Sequence, residues 1–283
     1  MSIVVTAATG HLGTLVIDEL LQRVPADQVV AVARNAAKAA PIAERGVEVR
    51  IADYNDPDAF AKAFGAGDTV LLISGMDPNR RDQHRAVIGA AKDAGVARIA
   101  YTSVLGGSKA DFELATDHLA TEQAVLDSGL PYTFLRNGWY NEVYTDQLAG
   151  QLAHGILGSA GDGRIASAAR RDYAAAAAAV LTGDGHENKA YELNGDVSWT
   201  MAEYAAEVAE QSGQDVAYRN VSPDEHAQAL TAAGIPAPYV GVLLDIDGAV
   251  VRGLLDSRGS DLADLIGRPT TPVADSIAAA LKS

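Results

Sequence analysis

Residues Ile3 to Val16 spell an apolar strand, a glycine-bearing turn and the opening of a helix in one short run. A strand feeding directly into a helix leaves unpaired backbone N–H groups and the positive end of the helix dipole facing outward, which is a place to hold a phosphate. Gly10 and Gly13 stand where such a turn needs close approach. The full pattern reads G-x-x-G-x-x-G, and its first position here is Ala7. An alanine serves there if the turn keeps φ negative. The cofactor-binding candidates of this stretch are Thr6, Ala7, Ala8, Thr9, Gly10, His11, Leu12 and Gly13. Taken alone, the match leaves an ordinary strand-to-helix turn as an equal alternative.

The next segments repeat the alternation. Strands are expected at 28–34, 47–51, 69–74, 98–103 and 132–136, with helices at about 12–23, 35–44, 57–64, 82–94 and 114–128. Near-continuous apolar strands separated by helices predict a doubly wound α/β fold with a parallel sheet covered on both faces. Ligands of such sheets sit beyond the carboxyl ends of the strands. Beyond the glycine turn, that edge carries Arg34, Asn35 and Lys38, then Asp53, Tyr54, Ser74, Thr102, Ser103 and Asn137. Arg34 is the most informative of these. A site for NAD usually ends its second strand in a carboxylate that accepts from the ribose 2′-hydroxyl, whereas a cation there suits the 2′-phosphate of NADP. The bland reading of Arg34 is a solvated surface arginine.

Composition removes several chemistries. The chain has no cysteine, so disulfides, thiolate nucleophiles and thiolate metal sites are excluded. Its six histidines form no H-x-x-x-H or H-x-H pair, so no metal site is expected. A formal charge of −15 repels nucleic acid and anionic membrane. No apolar run approaches a membrane span, and the chain begins almost on its first strand, so a cytoplasmic protein is expected. A homodimer is a candidate assembly.

After Arg136 the alternation fails. Gly138, Trp139, Tyr140, Asn141, Glu142, Val143 and Tyr144 concentrate three aromatics in an expected loop that suits a flat ligand; the alternative is a loop that pins a second subdomain to the first. The domains are expected as 1–136, nucleotide-binding, and 137–283, a smaller α/β subdomain, with strands returning to the first from later segments. In the second, the alanine run 174–179 reads as helix filler.

Together, Thr6 to Gly13, Val32-Ala33-Arg34-Asn35, Tyr101-Thr102-Ser103 and Arg136-Asn137-Gly138-Trp139-Tyr140 resemble the NmrA-like group of atypical short-chain dehydrogenases/reductases. The likeness extends through Gly161 to Ser167, Arg170, Asp172-Tyr173 and Ile266 to Thr271, essentially the whole chain. The resemblance implies a Rossmann domain that binds NADPH through Ala7 to Leu12 and Arg34, in preference to NADH, and a small domain closing a cleft over the nicotinamide. It also makes Arg170 a cleft residue.

Ordinary short-chain dehydrogenases use a serine with Y-x-x-x-K. Registered on Ser128 to Thr133, the lysine position falls on His118 and the tyrosine position on Leu114, so the usual acid is gone. Loss of a positioned acid typically slows alcohol chemistry on the order of 10²–10⁴-fold. Quinone reduction demands less, because hydride transfer to a strong electrophile yields a stabilised phenolate. The expected activity is therefore NADPH-dependent hydride transfer to a quinone-like, flat electrophile near Trp139 and Tyr140, with no flavin. His118 and Tyr140 are the catalytic candidates; the alternative for His118 is an ordinary helix histidine facing Glu122. The rival function is a non-catalytic NADP(H)-binding redox sensor. A sugar-nucleotide isomerase is disfavoured, because it needs the missing tyrosine.

Overall fold

The computed structural model describes residues 1–282 and divides the chain into two compact units. The first comprises Met1–Gly107, Asp117–Asn137 and Arg171–Glu192; the second comprises Ser108–Thr116, Gly138–Arg170 and the described residues from Leu193 onward. A single cut between 136 and 137 thus differs from the observed division, since 171–192 lie in the first unit and 108–116 in the second.

In chain order, the strands are β1 (Ile3–Val5), β2 (Val29–Ala33), β3 (Glu48–Ile51), β4 (Thr69–Leu72), β5 (Arg98–Val104) and β6 (Tyr132–Asn137). They are followed by β7 (Ile156–Gly158), β8 (Arg164–Ile165), β9 (Lys189–Leu193), β10 (Trp199–Thr200) and β11 (Tyr218–Asn220). The helices of the first half are α1 (His11–Leu20), α2 (Ala36–Ala43), α3 (Pro57–Phe60), α4 (Arg80–Ala94) and α5 (Glu113–Ser128).

Seven strands form one sheet in the order β3-β2-β1-β4-β5-β6-β9. The pairs from β3 through β6 are parallel, with Val4 beside both Val30 and Val70. All five residues of β2 and all seven of β5 are buried, as a sheet covered on both faces requires. The strand order reverses between β1 and β4, which is where such sheets bind their ligands. α4 stops at Gly95, whose φ of 69° closes the helix in a left-handed cap.

The second unit has its own core around Ile165, Trp199, Tyr204, Val208 and Ile277. Two small sheets belong to it, β10 antiparallel to β8 and β11 parallel to β7. The strand at 156–158 and the short helices Glu142–Thr145 and Leu148–His154 had no clear sequence signal. The alanine run corrects the expectation of mere filler. Ala174 to Ala178 lie buried, so their small size is what the packed side of the helix Arg170–Thr182 requires.

Candidate active site

A cleft of about 560 Å³ opens at the carboxyl ends of β1 and β2. Its wall includes Ala7, Thr9, Gly10, Arg34, Asn35, Lys38, Asp53 and Tyr54, so eight expected cofactor residues come together within the first unit. Gly10 is the N-cap of α1 and no side chain caps the helix, which leaves its first N–H groups for a ligand. Gly13 is needed behind the turn, because a Cβ there would come within 2.4 Å of the Ala7 carbonyl oxygen. Arg34 and Lys38 are exposed cations on that wall and have no ion-pair partner among the described residues. An anion-ready helix end and two available cations around a cleft of this size fit a phosphorylated dinucleotide.

The turn differs from expectation at Ala7, whose φ is +47° rather than negative. The alanine adopts the backbone that the missing glycine would take without strain. Thr6 and Ala8 also do not face the cleft. Thr6 is fully buried, and its hydroxyl donates to the Leu71 carbonyl while accepting from Tyr54 and the Ile73 N–H. Ala8 is fully buried with its N–H on the Val32 carbonyl. Leu12 and Gly13 are packing residues of α1, and His11 is exposed at its start. Sequence reasoning missed Asn55, Phe60, Met76 and Gln83 in the same wall. Exposed Met76, following Gly75 past β4, was the readable signal.

The expected residues at the ends of β4, β5 and β6 make contacts within the first unit, and none lines the cleft. Ser74 N–H donates to the Thr102 hydroxyl at 2.9 Å, joining β4 to β5. The Asn137 carbonyl accepts from Leu105 N–H. Ser103 is buried and donates to Glu122 at 2.6 Å. Glu122 also takes both Nε and Nη2 of Arg136, whose Nη1 binds Glu192. The Ser103 hydroxyl is therefore committed to the buried carboxylate of an ion pair.

His118 is corrected as a catalytic acid. It is buried, and its Nδ1 lies 2.8 Å from the Tyr101 hydroxyl, not against Glu122. Burial, helped by Arg80, pushes its pKa down to about 3, so the ring is neutral at physiological pH. His84, bonded to Thr121, is pushed down to about 4 by the same causes.

In the second unit, the aromatic stretch divides by role. Asn141 is fully buried, bonding Ser167, Ser276 and the Thr271 carbonyl. Tyr144 stands edge-on to Trp199 with ring centroids 4.8 Å apart, and burial pushes its phenol up. Trp139 packs on the same core, and Gly138 is buried. The Asn141 and Tyr144 side chains are thus taken up by the framework of this unit. Val143 lies half-buried within Glu142–Thr145. Tyr140, Glu142 and Arg170 form a separate group: the Arg170 guanidinium stands 5.4 Å over the Tyr140 ring, and its backbone N–H donates to both Glu142 oxygens.

A parallel sheet whose ligand cleft opens at the strand-order reversal, with a glycine turn at a helix start, defines a Rossmann-type dinucleotide-binding protein. The chain belongs to the NAD(P)H-binding family, whose pattern matches residues 7–184. It is 48% identical over 277 residues to Quinone oxidoreductase 2 of Escherichia coli (strain K12), covering 97% of each chain. The crystal structure of the NADPH-dependent quinone oxidoreductase from E. coli complexed with NADPH superimposes with a TM-score of 0.96 at 47% identity over 99% of both chains. Citrobacter sp. triphenylmethane reductase complexed with NADP(H) gives a TM-score of 0.94 at 41% identity, over 99% of this chain and all of the other.

Proposed function

We propose that this protein is an NADPH-dependent reductase that delivers hydride to a quinone or a similar flat electrophile. The observation that carries the reading is the near-full-length likeness to an E. coli quinone oxidoreductase, joined to a cleft that presents Arg34 and Lys38 beside an uncapped helix start.

The α1 N-terminus at Gly10 would hold the pyrophosphate through backbone N–H groups and the helix dipole. Arg34 and Lys38 would take the 2′-phosphate, which makes NADPH the preferred form over NADH. When bound, the nicotinamide supplies the hydride. Tyr140 is the remaining candidate to orient or protonate the acceptor; the His118 ring is engaged with Tyr101. With Ser103 donating to Glu122, the chain offers no serine–tyrosine–lysine acid, which suits an electrophile whose reduced form is a stabilised phenolate. The net charge of −15 disfavours a nucleic-acid partner.

The test is a stopped-flow single turnover of NADPH-loaded protein with benzoquinone or naphthoquinone, followed by nicotinamide absorbance against a protein-free control. Protein-dependent oxidation is expected. Tight NADPH binding without accelerated oxidation across several quinones would overturn the reductase reading in favour of a redox sensor.

A further inference from the structure

Among the described residues, the mostly buried arginines each engage the protein through at least one close guanidinium contact, although Arg80 Nε and Arg98 Nη1 are left without a partner; Arg170 is the exception. Arg136, 21% exposed, makes three bonds to two glutamates; Arg50, 25% exposed, binds Glu48 and the Ala63 carbonyl; Arg98 donates to the Val180 carbonyl. Arg80, 12% exposed, is ion-paired to Asp117. Arg170 is only 16% exposed, yet its guanidinium makes no hydrogen bond to any described residue. Its nearest carboxylate oxygen, on the 63%-exposed Asp146, stands 3.8 Å away.

The side chain is nevertheless held in place. Glu142 accepts the Arg170 N–H with both oxygens at 3.0 and 2.9 Å, fixing the first residue of the helix Arg170–Thr182. Tyr140 is anchored by a bridge to Ala168, and its ring lies 5.4 Å under the guanidinium. The result is a planar cation over an aromatic face, within one unit, whose guanidinium is paired only loosely, with exposed Asp146, and donates no hydrogen bond to a described residue. A guanidinium fork recognises carboxylate-type oxygens, and an aromatic face recognises a flat ring.

We propose that Arg170 is the oxyanion receptor of the acceptor site and that its ligand class is the aromatic oxyanion: a flat ring bearing a phenolate oxygen. The proposal rests on the reductase reading for its role in turnover. Addition of hydride, two electrons and a proton, at one quinone oxygen forms an O–H bond, converts both C=O π bonds into C–O single bonds as the ring becomes aromatic, and leaves a hydroquinone monoanion charged on the other oxygen. Its charge lies on oxygen, where Arg170 N–H donors stabilise it; water then supplies the second proton and the neutral hydroquinone leaves. A cation aimed at charge that exists only after hydride addition acts on kcat more than on acceptor KM.

The experiment has a binding arm and a kinetic arm. In the first, 4-nitrophenolate is titrated into the full chain at a pH where the phenol is ionised, with neutral 4-nitroanisole as the comparison. Wild type is expected to prefer the phenolate, R170A to lose roughly 10- to 100-fold in phenolate affinity with little change for the anisole, and R170K to fall between them. D146N, which removes the neighbouring exposed carboxylate, is expected to bind the phenolate at least as tightly as wild type. In the kinetic arm, R170A lowers kcat with benzoquinone while the NADPH dissociation constant stays within about twofold, since charge-assisted bonds to the acceptor oxygen are what is lost. Equal phenolate affinity in wild type and R170A, or an unchanged kcat, would overturn the proposal. Because the phenolate titration needs no turnover, failure of the reductase reading would show as absent NADPH oxidation in wild type, with the binding arm still decisive for Arg170.

Discussion

The carbonyl oxygen of Ala7 fills the space that a side chain on Gly13 would need, since a Cβ at Gly13 would come within 2.4 Å of it and within 2.8 Å of Ala8 Cα. Both neighbours are backbone, so neither can rotate away. Gly13→Ala should therefore force the turn off α1. A loss of about 1–3 kcal/mol in stability, read from urea unfolding, and a weaker NADPH complex are expected. Unchanged NADPH affinity would mean that the turn is not the phosphate site.

Ala7 itself sits at φ +47°. Holding an alanine there costs about 1–2 kcal/mol, partly offset by the lower chain entropy that alanine has over glycine in the unfolded state. Ala7→Gly is expected to stabilise the protein by about 0.5–1 kcal/mol, visible as a higher midpoint in thermal or urea unfolding. A lower midpoint would show that the turn does not hold this backbone in solution.

Arg34→Ala and Lys38→Ala address cofactor choice. Each should raise the NADPH dissociation constant roughly tenfold or more, as expected for a lost charge-assisted hydrogen bond, and leave NADH nearly unchanged. Fluorescence titration with both nucleotides checks this. Equal effects on the two would remove the 2′-phosphate assignment.

His84 and His118 predict acid sensitivity. Their folded pKa values, about 4 and about 3, lie below the ordinary value near 6.5, so the unfolded chain binds more protons throughout that window. Stability should fall as pH drops from about 6.5 toward 4 and 3, and H84Q/H118Q should flatten that slope whatever its effect on absolute stability. The pH–rate profile of quinone reduction by His118→Gln should match wild type, because the ring is neutral and tied to Tyr101.

Arg136 carries the ion pair at the end of β6. Its removal leaves Glu122, 7% exposed, without its bidentate partner. Arg136→Ala should cost about 3–5 kcal/mol in urea unfolding. A loss under about 1 kcal/mol would show that Glu122 accepts protonation or water instead.

The first unit was legible because its signals are local: period, caps and the Gly10/Gly13 turn are written in neighbouring residues. Arg34 and Lys38 could be read because the end of a buried strand has a fixed place in a parallel sheet. The second unit was harder. Asn141 and Tyr144 look like ligand residues, yet they meet Ser276 and Trp199, partners far along the chain that no periodicity announces. His118 misled for the same reason: its partner is Tyr101 on a different element. The sign of φ at Ala7 likewise depends on β1, β2 and α1 closing together, which residue identity alone does not dictate.

The interrupted course of the first unit also limits how the gene can be cut. A fragment ending at Asn137 would lack β9, the strand that covers the outer side of β6. It would present a bare, apolar strand edge able to recruit other chains. During synthesis the sheet remains unfinished until the ribosome has passed residue 193, so the nascent protein carries that sticky margin through the whole of 138–188, and a holding chaperone would find its target there.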